Sequence, residues 1–128
     1  MRYTTMLPVV PPSFNDWKTW HWAKQERKRK AFQEQLWASL NEKGNRCPRG
    51  LAHVDLRAVL YFPVARERDS DNRAALLWKW VKDSLVHAHV IPNDTPEFCS
   101  YHEPVLARGR QESTFLILEW EEPACRAT

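Results

Sequence analysis

The sequence predicts a small α/β domain of the mixed α+β kind, with four strands and two main helices in the order β-α-β-α-β-β. Three observations carry this expectation. Val54, Leu56, Ala58, Leu60 and Phe62 alternate with Asp55, Arg57, Val59 and Tyr61, the period of a strand with one face in the core. Ala74, Leu77, Trp78, Val81, Leu85 and Ala88 recur at helical spacing on one face. Thr114, Leu116, Leu118 and Trp120 then return to period two. A chain of 128 residues suits one core, so residues 1–122 are expected to form a single domain and 123–128 a flexible tail.

Residues Thr4 to Val10 are β-prone and read as a short first strand, and Pro8, Pro11 and Pro12 demote its end to an edge or a loop. Pro11 to Asp16 reads as a connector with a helix N-cap near Asn15 or Asp16. From Trp17 to Lys43 the chain contains neither Pro nor Gly, and Gly44 stands where a capping glycine belongs, so one long helix is expected. Phe32, Leu36 and Leu40 give its second half a core-facing stripe, with Trp37 at the edge. The second helix spans Asn72 to His87. His89 occupies the helix-ending position and tolerates positive φ better than most residues. A third strand covers Phe98 to Leu106, interrupted by Pro104. Arg108-Gly109-Arg110 reads as a hairpin connection into the last strand, Thr114 to Glu121.

Composition excludes several function classes. No apolar run approaches the roughly 18 residues of a membrane span, and the first residues lack a signal-peptide pattern, so a cytoplasmic protein with no membrane partner is expected. Cys47, Cys99 and Cys125 have no zinc-site spacing and are read as free thiols. His87-x-His89 diverges on a helix and does not make a metal site. The net charge of +3 decides little, but five cations stand within seven residues at Lys24, Arg27, Lys28, Arg29 and Lys30. Trp17, Trp20, His21 and Trp22 precede them. Flat rings interleaved with cations suit a nucleic-acid backbone; a solvated charged face with the tryptophans turned inward is the plainer alternative.

The densest chemistry lies between Arg66 and Asp94. Asp69 and Asp71 follow the alternating strand, and Asp94 returns beyond the second helix. Three such carboxylates suit a hard cation such as Mg²⁺, and Arg66 and Arg68 favour an anionic ligand. Asn72, Lys79 and Asp83 share one helical face. Simpler roles exist for each: the aspartates could cap the helix N-terminus, and Lys79 could pair with Asp83 at i,i+4.

Arg68-Asp69-Ser70-Asp71-Asn72, Lys79, Asp83-Ser84-Leu85 and Asn93-Asp94 together resemble the RusA family of Holliday-junction resolvases, many of them phage-encoded. Asn15 and the His21-Trp22 pair, with basic residues behind them, look like the family's N-terminal helix. The match runs from Pro11 to about Pro96. It implies a small mixed sheet and a homodimer that uses Mg²⁺, with Mn²⁺ as a substitute, to nick branched DNA such as four-way junctions in a bacterial host, without a small-molecule cofactor. Asp69 and Asp71 match the family's two metal-binding carboxylates, Asp94 the second member of its Asp-Asp pair, and Lys79 its essential lysine. Asn72, Asp83 and Asn93 would hold these ligands from behind. DNA contact would fall to His21, Lys24, Arg27, Lys28, Lys30, Arg66 and Arg68, chiefly through phosphates.

Two departures stand out. Asn93 replaces the first Asp of the pair, and Lys79 follows Asn72 by seven residues instead of three, a shift of about 6 Å along a helix. They give weight to an alternative, a catalytically weak or inactive branched-DNA-binding dimer that keeps the fold. A structural or regulatory dimer without a DNA role is a third reading.

Overall fold

The central element is strand β2 (Val54–Phe62), which has neighbours on both edges. The computed structural model describes residues 1–64, 68 and 71–121, except the Asp71 side chain. Burial follows the alternation of β2: Val54, Leu56, Ala58, Leu60 and Phe62 are buried, and the residues between them are half-buried or exposed. On one edge, β5 (Ser113–Glu119) runs antiparallel, with Tyr61 opposite Ser113 and Asp55 opposite Glu119. The strand β1 (Arg2–Leu7) pairs antiparallel with β5. On the other edge, β3 (Cys99–Tyr101) and β4 (Val105–Arg108) both run parallel to β2.

Three helices accompany this sheet among the described residues: α1 (Phe14–Trp17), α2 (Trp22–Leu40) and α3 (Asp71–His87). The parallel pairing of β2 with β3 requires a crossover, and α3 supplies it. Phe32, Leu36 and Leu40 of α2 meet Leu77, Val81 and Leu85 of α3 in one core with the inward leucines of the sheet. Each fully buried side chain of this size contributes roughly 1.5–3 kcal/mol. The buried face of α3 is wider than its sequence stripe and includes Leu76 and Trp80. The reason is cover from two directions: Trp80 packs on Trp17 at 5.2 Å and on Phe32 at 5.6 Å between ring centroids, away from the sheet.

The sheet has five strands rather than the expected four. Pro104 has no N–H to donate, so the Phe98–Leu106 segment breaks into β3 and β4, two pieces in the same lane beside β2. The expected hairpin is a crossover. β4 and β5 lie on opposite sides of β2, and Gly109 passes over its end, donating its N–H to the Phe62 carbonyl at 3.0 Å.

The long first helix is two helices. Ser13, rather than Asn15 or Asp16, caps α1 by accepting the Asp16 N–H at 3.2 Å. His21 caps α2 through Nδ1, which accepts the Ala23 N–H at 3.2 Å, and the Gln25 amide donates to the Trp17 carbonyl at 2.7 Å across the break. Absence of Pro and Gly permits a continuous helix; here, capping side chains stop it. At its other end α2 stops at Leu40, and Gly44, with φ of 90°, serves a later turn. His89 does adopt positive φ, 62°, just beyond α3.

Candidate active site

α3 opens at Asp71, after the turn that follows β2, and its first three turns form one wall of a groove of about 400 Å³. Ala74, Ala75, Trp78, Lys79 and Lys82 line that wall; Asp94 and Tyr101 face them. The Asp94 loop is held in three ways. Its N–H donates to Asn93 Oδ1 at 2.7 Å, its carbonyl accepts from Cys99 Sγ at 3.5 Å, and the Cys99 and Phe98 N–H groups close on the Thr95 carbonyl. The Asp94 carboxylate itself has no hydrogen bond or ion pair among the described residues and is exposed, so it is available as an oxygen ligand.

The expected residues fall into separate places. Asp94 and Lys79 share the groove. Arg66, Asp69 and the Asp71 side chain lie outside the described residues, which include the Asp94 side chain of the expected carboxylate trio. No cluster of three metal-ligating side chains occurs among the described residues. The donor set fits a hard cation in kind, since Asp94 offers oxygen and no sulfur or imidazole lines its groove. Asn93 is engaged with the Asp94 backbone, which orients the loop.

Asn72 and Asp83 serve other contacts. Asn72 Oδ1 accepts the Asn15 N–H at 3.0 Å and ties α1 to α3. Asp83 lies 3.9 Å from Lys79 Nζ, but it lines a second groove, of about 530 Å³, between α2 and α3 with Arg29, Gln33, Trp37 and His87. The pair is weak, because the lysine side chain is 71% exposed.

The expected DNA-contacting residues divide as well. Arg27, Lys28 and Lys30 are exposed on α2. Lys24 lies 4.1 Å over the Trp20 ring. Trp17 packs inward, as the plainer alternative expects, whereas Trp22 is 71% exposed. His21 is occupied as a cap. Arg68 stacks on Phe62 at 3.9 Å and donates to the Val64 carbonyl at 3.0 Å, so it closes the end of β2.

Sequence reasoning missed Lys82 and Tyr101. Lys82 is three residues beyond Lys79, which puts both on one side of α3. Tyr101 had no signal short of knowing its strand register: it pairs with core-facing Leu56, but at the edge lane, where cover ends. A polar cluster on the opposite sheet face was also missed. Asp55 accepts from Ser100 Oγ at 2.8 Å, lies 2.9 Å from His102 Nε2 and 3.4 Å from Arg57 Nε. Partial burial works against ionisation of Asp55, but the Ser100 and His102 hydrogen bonds and Arg57 together hold its carboxyl below the usual aspartate range. Ser100 donates to a carboxylate held below the usual aspartate range, which makes it a poor base and leaves Ser100 without activation as a nucleophile. The cluster acts as a clasp between β2 and the β3–β4 lane.

Cys47 and Cys99 are free and buried; Cys125 lies outside the described residues. Burial pushes the Cys47 thiol up to about 11. No described helix is long and apolar enough to cross a membrane. Compared with known proteins, the chain matches no family model and no curated protein.

Proposed function

We propose that this chain is a Mg²⁺-dependent endodeoxyribonuclease of RusA type that resolves four-way or related branched DNA as a homodimer in the bacterial cytoplasm. The observation that supports it best is the groove in which the Asp94 carboxylate, without an ion pair among the described residues, faces Lys79 and Lys82 beside the first turns of the helix that Asp71 opens.

Asp69, Asp71 and Asp94 would hold the cation. When bound, it supplies charge neutralisation and makes a water nucleophilic near neutral pH. The chain's own contribution is positional. Lys79 and Lys82 bring ammonium charge to a phosphate in the groove and stabilise the negative charge that develops on it. Asn93 fixes the loop that carries Asp94. The exposed Arg27, Lys28 and Lys30 of α2 would engage duplex arms through phosphates, and a two-fold pair of chains would recognise the shape of a junction with little base readout.

The reading of a binding module with weak chemistry is favoured by one observation: the Lys79 ammonium already has a carboxylate neighbour outside the groove, Asp83 at 3.9 Å. Incubation of four-way junctions with the protein and Mg²⁺ or Mn²⁺ separates the two. Wild type should make paired nicks, and Asp71→Asn should lose cleavage by about 100-fold or more while junction binding persists. Full cleavage by Asp71→Asn overturns the metal assignment. Tight junction binding by wild type without any cleavage establishes the weaker alternative.

A further inference from the structure

We propose that Tyr101 is a stacking platform for a nucleobase unpaired at the branch point of the DNA. This rests on the branched-DNA reading of the groove and adds a residue and a ligand chemistry to it. Tyr101 is 54% exposed, although its register opposite Leu56 points it to the helix-covered side of the sheet. It is exposed because β3 is an edge lane. One flank of the ring rests against the buried Trp78, with centroids 5.8 Å apart and planes tilted by 33°, and the Trp78 indole is itself anchored by donating to the His102 carbonyl at 2.9 Å. The ring is therefore backed by a fixed wall. Its hydroxyl makes no hydrogen bond among the described residues, so tyrosine is not kept there by a polar contact.

The charges around the ring favour a nucleotide over a neutral aromatic ligand. Lys82 Nζ lies 4.9 Å from the Tyr101 centroid, and Lys79 lines the same groove, whose volume of about 400 Å³ falls in the ~300–1,000 Å³ range of small-ligand sites. An exposed lysine over a tyrosine is a weak contact, whereas base stacking on an aromatic ring is stronger. A base can thus displace the ammonium from the ring face, and the flexible Lys82 chain is then free to pair with that nucleotide's phosphate. Where strands exchange, stacking between neighbouring base pairs is interrupted, which lowers the cost of unpairing a base at the branch point and stacking it on the ring.

The test compares a four-way junction carrying one unpaired nucleotide at the branch point with the same junction carrying an abasic residue there, with divalent metal removed so that no cleavage intervenes. Wild type should prefer the base-bearing junction by about 5- to 150-fold. Tyr101→Phe should retain that preference and Tyr101→Ala should lose it; Lys82→Gln should weaken binding of both junctions. Equal wild-type affinity for the two junctions overturns the platform whatever the variants do. If wild type nicks junctions with Mg²⁺ yet ignores the abasic change, only this inference fails. If wild type binds branched DNA no better than linear duplex, both readings fail.

Discussion

At Gly109, one missing side chain decides how the chain passes from one side of the sheet to the other. A Cβ there would meet Tyr61 Cβ at 2.9 Å, and that atom cannot swing away as the end of a flexible chain could. Gly109→Ala should therefore destabilise the domain by about 1–3 kcal/mol through forced backbone displacement, seen as a lower urea midpoint. Unchanged stability would mean that the crossover is looser than the geometry indicates. The sequence shows this glycine only as a turn residue between two arginines. Nothing local distinguishes a hairpin from a passage over a third strand, because the two differ in what lies beneath the glycine. Asn72 teaches the same lesson: its carboxamide oxygen holds the backbone of α1, a contact between residues 57 apart that no local pattern announces.

At the scale of elements, β2 and α3 were legible because hydrophobic periodicity and burial obey the same geometry. The first helix was legible in its second half and misread in its first. Its break depends on two side chains, His21 and Gln25, whose hydrogen bonds to backbone groups carry no periodic signal. The split of the third strand was partly visible, since Pro104 marks where donation stops, but its consequence for strand count required the pairing with β2. On α2 the buried face of Phe32, Leu36 and Leu40 leaves Lys24, Arg27 and Lys28 together on another face at i, i+3 and i+4. Replacing these three with Gln should weaken binding to any DNA and reduce the slope of log affinity against log salt by about 3. An unchanged slope would assign α2 a purely solvated face.

At the scale of the molecule, the Asp55 clasp fastens the lane that carries Tyr101 to the central strand. An aspartate whose pKa is lowered on folding contributes stability that is present above its unfolded value of about 3.9 and is lost as pH falls through the folded value. Unfolding midpoints in urea should therefore drop between about pH 4 and lower pH, and Asp55→Asn should flatten that part of the profile; an identical acid profile in the variant would remove the clasp from the account of stability. The clasp also shows where local reading ends, since Ser100 and His102 lie 45 and 47 residues from Asp55 and meet it only through the parallel register of β2 with β3. By itself the sequence determined the mixed α and β character, the central strand and the helix behind the acidic turn, because periodicity is a property of neighbours along the chain. Tertiary structure alone decided that Asp94 and Lys79 share a groove while Asp83 turns to another, and that Lys82 and Tyr101 complete it, because distance across the fold is set by strand register and helix packing.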